Sequence, residues 1–228
     1  MTSISATPPS FLNKGTAPTP IVDAPELAAR AGVGRVSVKL ESDRALGNFK
    51  SLGGVYAGLR ALSRAAGVTV DDLIAGDFDA PLPRLICASD GNHGLAVAEA
   101  ARQARAEAWV YLGDGVSSER ADRIVRLGAT VKRVTGTYDV AVAQALEAAF
   151  NGRGLLVADT TDDIDDPVVN DVMTGYGVLM QELKTQFICK GPPTHQFIQA
   201  GVGGLAAAMV EGWAASFLPR VLTVAVEP

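Results

Sequence analysis

The sequence predicts an open, doubly wound α/β protein built on parallel sheets, and three observations carry that expectation. Strand-like alternation and helix-like apolar spacing succeed one another in regular turn from residue 84 to residue 158, the pattern of strand–helix–strand crossovers. Hydrophobic residues make up 48% of the 228 and charged residues only 20%, enough to cover both faces of a sheet. Aromatic residues are scarce at 6%, so small and branched side chains must supply the packing of helices lying close on strands.

The elements follow in order. A Pro/Ser/Thr-rich arm opens the chain, and Pro8, Pro9, Pro18 and Pro20 forbid a signal helix there. A short helix is expected over Pro25–Ala31, with proline suitably at its first position. Arg35 to Leu40 (RVSVKL) alternates like a strand. From Phe49 to Ala66, the residues Leu52, Val55, Leu59, Leu62 and Ala66 recur three or four apart, which predicts a helix with one buried face. Gly53 and Gly54 weaken that helix near its start and need a reason other than propensity. A short helix and turn covers Asp71–Asp77.

Then one unit recurs: strand Arg84–Ala88, helix Asn92–Ala106, strand Ala108–Leu112, helix Ser117–Leu127, strand Thr130–Val134, helix Asp139–Phe150, strand Leu155–Ala158. The acidic loop Asp159–Asp166 interrupts it. An amphipathic helix through Val172, Met173, Tyr176, Leu179, Met180 and Leu183 comes next. Strand Gln196–Ala200, helix Gly204–Phe217 and strand Val221–Val226 end the series, with no solenoid repeat anywhere.

Charge and cysteine usage exclude several classes of function. The 20 Lys and Arg against 25 Asp and Glu give a net charge of −5, which offers no basic footprint for nucleic acid. The charges are dispersed, against a membrane surface, and no apolar run approaches the ~18 residues of a membrane span. Cys87 and Cys189 stand far apart and make neither a disulfide framework nor a metal cluster; they read as reduced thiols of a cytoplasmic protein. The acidic loop lacks the central glycine of a calcium site, so a solvated connection without metal is expected. Asp159, at the end of a strand, is the member of that loop placed to face a cleft.

In a doubly wound fold the ligand sits beyond the carboxyl ends of the strands, and chemistry is expected at three such places. Only six of the 20 basic residues are lysines, and Lys50 is the unusual one, opening a helix with a buried face between Phe49 and Leu52. A helix N-terminus disfavours an ammonium and burial lowers its pKa, so a neutral, nucleophilic amine is expected there. Alternatively its stem snorkels over Phe49 to water. Strand Arg84–Ala88 runs into Ser89-Asp90-Gly91-Asn92-His93-Gly94, where small residues admit a ligand, Asn92 offers an amide and Asp90 is a candidate acid/base group. Read structurally, the same turn caps the following helix, and His93 alone fits a structural role. The loop Gly201-Val202-Gly203-Gly204-Leu205-Ala206 can cradle a phosphate with free backbone N–H groups at a helix N-terminus. It also fits a dinucleotide fingerprint, with Glu227 placed to meet a ribose.

Taken jointly, GNFKSLGGVYAGLRAL, ASDGNHGLAVAEAAR, QAGVGGLAAA and the ending VEP resemble, in order and spacing, the fold-type II pyridoxal 5′-phosphate enzymes, the group of threonine deaminase and cysteine synthase. The likeness runs from about Thr19 to Pro228. With Asp90, ADT and GYGVLMQEL added, the sequence is more narrowly similar to the diaminopropionate ammonia-lyases, since threonine deaminases usually carry Ala or Gly where this chain has Asp90.

The resemblance implies a two-domain architecture: an arm and the first part of a large domain over 1–50, a smaller βαβ domain over 51–166, and an incomplete large cofactor-binding domain over 167–228. Members of the group continue past the point where this chain ends, so the C-terminal part of the large domain is expected to be missing. It further implies that Lys50 holds the cofactor as a Schiff base, that Asn92 bonds its phenolic oxygen and that Gly201 to Leu205 wrap its phosphate. Asp90 and Asp159 would be bases for the two faces of the substrate carbon, and Ser89, Asp90 and His93 would bind the substrate. The implied reaction is α,β-elimination on a small amino acid, 2,3-diaminopropionate first and threonine or serine next, in a cytoplasmic homodimer. The alternatives are a catalytically inert remnant of such an enzyme and an NAD-binding oxidoreductase built on the Gly201 loop.

Overall fold

The computed structural model describes residues 17–79, 81–163, 165–216 and 221–227. The arm up to residue 16, the expected helix end at Phe217 and the terminal Pro228 lie outside the described residues. A parallel four-stranded sheet positions everything else. Its strands are β3 (Leu85–Ala88), β4 (Ala108–Gly113), β5 (Thr130–Val134) and β6 (Leu155–Leu156), in the spatial order β5-β4-β3-β6. The chain therefore steps outward from β3 through β4 to β5 and returns on the other side of β3.

Period-two alternation explains how both faces are covered. Leu85, Cys87, Val110 and Leu112 join the main core, which includes α2 (Lys50–Ala66) and α4 (Asn92–Ala104). Ile86, Tyr111 and Val134 point the other way, onto Ala141 and Ala145 of α6 (Tyr138–Phe150). α5 (Ser118–Val125) joins β4 to β5, and its Ser117 cap accepts from the N–H of Arg120. The expected strand–helix series over 84–158 is thus present, with ends shifted by a few residues.

The main core also takes in α7 (Pro167–Gln186) and α8 (Gly204–Ala214), with β7 (His195–Gln199) and β8 (Leu222–Val226) forming a separate parallel pair. Asp166 caps α7 by accepting from the N–H groups of Val168 and Val169. The acidic residues Asp162, Asp163 and Asp165 before it are exposed. Phe197, Leu222 and Val226 of the β7–β8 pair are exposed as well.

The glycines of α2 now have their reason. A Cβ on Gly53 would lie 2.7 Å from the Tyr176 ring and from the Val172 carbonyl of α7, and one on Gly54 would lie 2.6 Å from Cβ of Ala96 in α4. α2 is wedged between these two helices, and only hydrogen fits at the contacts.

The N-terminal part departs from the sequence reading in two places and meets it in a third. β1 (Ile21–Asp23) pairs antiparallel with β2 (Ser37–Lys39) around α1 (Pro25–Ala31), so the sheets are not all parallel. Three residues are too few for periodicity to register. Two 3-10 turns, Glu41–Asp43 and Ala45–Gly47, occupy the segment before Lys50. The expected short helix over Asp71–Asp77 is α3 (Val70–Ala75), begun by a capping box between Thr69 and Asp72 and closed by Gly76 in the left-handed region.

Candidate active site

The strand order dictates where a site can form. β3 and β6 are neighbours at which the chain reverses its direction of travel across the sheet, the place beyond the strands' carboxyl ends where a doubly wound fold binds its ligand. The turn Ser89–His93 leaves β3 at that point, and Asp159 follows β6. The structure brings these together with Lys50, the first residue of α2, although Lys50 and Asp159 are 109 positions apart in the chain.

The Lys50 amine donates to Oδ2 of Asp159, forming an ion pair whose side chains are 22% and 8% exposed. The sequence reading placed Lys50 at the helix start and Asp159 at the cleft separately, and the contact between them is new. Burial by itself would push the Asp159 carboxyl up, but His93, Lys50 and the hydrogen bond from Lys50 hold it below the usual carboxylate range. Burial pushes the His93 imidazole down, against the pull of Asp159. Burial thus favours the neutral imidazole at His93, while the groups around Asp159 favour its carboxylate.

His93 is fully enclosed, with Nε2 2.8 Å from the carbonyl oxygen of Val157. A carbonyl only accepts, so Nε2 carries the hydrogen. Nδ1 is then a bare acceptor, buried without a hydrogen-bond partner, 4.0 Å from Asp159 Oδ2. The Ser89 hydroxyl oxygen is also buried and accepts from the backbone N–H groups of Gly91 (2.9 Å) and Gly94 (2.8 Å). It shapes the turn while its own hydrogen stays available to donate. Asp90 and Asn92 are exposed at the mouth, and the Asp90 carbonyl accepts from Arg120 at 3.2 Å.

The glycine loop faces open space. A Cβ added at Gly201 or Gly203 would meet nothing within 4 Å, and Gly203, at φ 83°, adopts a conformation that favours glycine. Gly201 and Val202 are exposed, Gly203 and Gly204 half-buried, and Leu205 is anchored in the core. Tyr176 links this loop to the lysine. Its ring lies 5.5 Å from that of Phe49, which precedes Lys50, and 3.9 Å from where a Cβ on Gly204 would be. Burial, then the Asp159 charge, pushes the Tyr176 phenol up. An amine, an ionised carboxylate and an unobstructed run of backbone N–H groups at a helix N-terminus fit an aldehyde that also carries a phosphate.

Sequence reasoning missed Tyr138, which opens α6 beyond β5. Burial, followed by the charges of Asp159 and Asp90, pushes its phenol up to about 12. The junction rule that found Ser89–His93 also covers Thr137-Tyr138. Other places in the fold do not share this chemistry. A surface cavity of about 500 Å³ lined by Leu82, Arg84, Arg105, Glu107 and Arg153 lies at the opposite, amino end of the sheet. Among the described residues no His/Cys/Asp/Glu group could hold a metal ion.

Comparison with known proteins points to a pyridoxal-phosphate family. The family model described as pyridoxal-phosphate dependent enzyme matches residues 12–228. Diaminopropionate ammonia-lyase of Escherichia coli K12 is 32% identical over 220 residues, which are 94% of this chain and 55% of that protein. A biosynthetic, chloroplastic threonine dehydratase of Solanum lycopersicum is 29% identical over 211 residues, 92% of this chain and 30% of that one. The crystal structure of the E. coli diaminopropionate ammonia-lyase in its apo form matches with a TM-score of 0.86 at 32% identity, covering 94% of this chain and 60% of that one. The same enzyme in complex with D-serine gives 0.88 at 31% identity, over 96% and 57%. The chain spans about half the length of the curated diaminopropionate ammonia-lyases it matches.

Proposed function

The chain belongs to the pyridoxal-phosphate dependent enzyme family, and on that premise we propose that it carries the amine and both bases of an ammonia-lyase acting on 2,3-diaminopropionate. The family cofactor bears a single phosphate, which favours the phosphate cradle over a dinucleotide at the Gly201 loop. The observation that carries the reading is the Lys50–Asp159 pair at the β3–β6 crevice, with the open glycine loop across Tyr176. Net, one diaminopropionate and one water give pyruvate and two ammonia.

Bound to Lys50, pyridoxal phosphate supplies an electron sink for the carbanion at the substrate's α-carbon. The residues of this chain have the following parts. Backbone N–H groups from Gly201 to Leu205 hold the phosphate, and the Asn92 amide bonds the ring oxygen. The turn Ser89–His93 receives the substrate carboxylate, with the Ser89 hydroxyl as one donor and Asp90 at its rim. Asp159, kept ionised by its surroundings, takes the α-proton from one face of the carbon. Asp90, exposed at the mouth, serves the opposite face. Lys50 Nζ delivers a proton to the departing β-amino group. Asp90 distinguishes this reading from threonine or serine deamination.

The division into 1–50, 51–166 and 167–228 belongs to the same proposal, as do work in the cytoplasm and assembly as a homodimer. The free thiols of Cys87 and Cys189 support a reducing compartment. The test supplies the chain with pyridoxal phosphate and each enantiomer of 2,3-diaminopropionate and follows pyruvate. Pyruvate should form faster than it does from serine, and faster than 2-oxobutyrate forms from threonine. Asp90→Asn and Asp159→Asn should each suppress turnover of a different enantiomer by about 10²–10⁴-fold, the range of a lost general base. Cofactor binding without any pyruvate from either enantiomer contradicts the reading.

A further inference from the structure

The lysine's neighbourhood in the chain is more constrained than a helix start requires. Residues 44–49 form a turn in which Leu46 and Gly47 both have positive φ, 66° and 74°. Leu46 thus holds a conformation that an L side chain rarely adopts, in a turn closed by the Gly47 N–H to the Arg44 carbonyl at 2.7 Å. Two arginines tie the turn to other elements. Arg44 donates through Nη1 and Nη2 to the two carboxylate oxygens of Glu182 on α7, at 2.6 and 2.8 Å, with the side chains 6% and 5% exposed. Lys39 of β2 donates to the same carboxylate at 2.6 Å, and Glu41 takes a further pair of bonds from Arg44. From the other side, Arg123 of α5 donates to the Leu46 carbonyl at 2.8 Å, beside the Asn48 amide at 3.0 Å.

The turn is therefore tied at one end to α7 and in its middle to α5. α7 grips twice: Glu182 holds Arg44, and Tyr176, about 9 Å earlier along the helix axis, abuts Phe49 and Gly53. Between those two grips the backbone has little freedom left, and Lys50 comes next. A buried ion pair is a poor source of stability, because desolvation offsets most of the attraction, but it fixes geometry well.

We propose that Arg44–Glu182 and Arg123–Leu46 form a clamp that positions the Lys50 amine for capture of its carbonyl partner, making Arg44, Glu182 and Arg123 positioning residues. The inference rests on the reading of Lys50 as the cofactor amine. Reaction of an amine with an aldehyde depends on the approach of two atoms, so displacement of the turn should slow capture without removing the amine.

The test measures how fast pyridoxal phosphate is fixed by borohydride on Lys50, relative to the exposed Lys190, by peptide mass spectrometry on the full chain. Arg123→Ala removes only a half-buried surface donor and should leave the thermal midpoint near that of the parent. The Lys50:Lys190 ratio should fall about tenfold to a hundredfold, the scale of an ångström-level misplacement. Arg123→Lys, which keeps a donor, should recover most of it. Glu182→Gln should give the same fall wherever it folds, and where it does not, Arg123→Ala decides. A parent ratio in either folded variant overturns the clamp while leaving the role of Lys50 standing. Absence of fixation on Lys50 in the parent overturns both.

Discussion

Asp159 and His93 tie the site to pH through opposite kinds of group with the same sign. Asp159 has a folded value below its ordinary 3.8, so its contribution to stability is present above that value and is lost as pH falls through the lower, folded one. His93, buried and neutral, has a folded value below 6.5, so the unfolded chain takes up a proton first and stability begins to fall as pH drops below about 6.5. Thermal midpoints measured between pH 7.5 and pH 5 should decline, and His93→Gln should flatten that part of the profile; an unchanged slope contradicts the burial argument. Gly53→Ala tests packing at the same scale. With a Cβ 2.7 Å from the Tyr176 ring and the Val172 carbonyl, it should lower stability by about 1–3 kcal/mol in a denaturant melt. The glycine pair was visible in the sequence as an anomaly, but the helix that demands it was not. The pairing of Lys50 with Asp159 was equally hidden, because each residue could be placed at an element's end but not against the other.

Turns, more than helices or strands, decide what the elements present to the crevice. Ser89→Ala leaves the N–H groups of Gly91 and Gly94 without their acceptor in a buried turn. It should cost about 1–3 kcal/mol and raise the hydrogen-exchange rates of the first turn of α4. Gly203→Val places a branched side chain at φ 83° and in the space facing the loop. Affinity for pyridoxal phosphate should drop more than stability does, as equilibrium titration and melting can separate; undiminished affinity contradicts the cradle. Elements with a strong period were legible in the sequence: α2, α4 and α6, and the strands from β3 to β5, lie within a few residues of where alternation puts them. β1 was not, because its three residues carry too little pattern. Nor was the turn before Lys50, which bonds to Arg123 and Glu182 on distant elements.

Across the molecule, one core runs from α2 through the sheet and on to α7 and α8, so a ligand bridging Lys50 and the Gly201 loop would bind a surface that exists only in the folded chain. Linkage then predicts a stabilisation of about 2.7 kcal/mol at a pyridoxal phosphate concentration a hundredfold above its Kd, read as a rise in melting temperature. The fold class was legible at this scale because strand–helix alternation fixes a doubly wound sheet, and that sheet fixes where its crevice opens. The antiparallel β1–β2 pair and the separate β7–β8 pair were not, since neither follows from the repeating unit. The most direct measurement of the central claim is a titration of the chain with pyridoxal phosphate followed by visible absorbance. A band from a cofactor–lysine adduct that saturates at one equivalent and disappears in Lys50→Ala is the predicted result. A band of equal intensity in Lys50→Ala, or none in the parent chain, contradicts it.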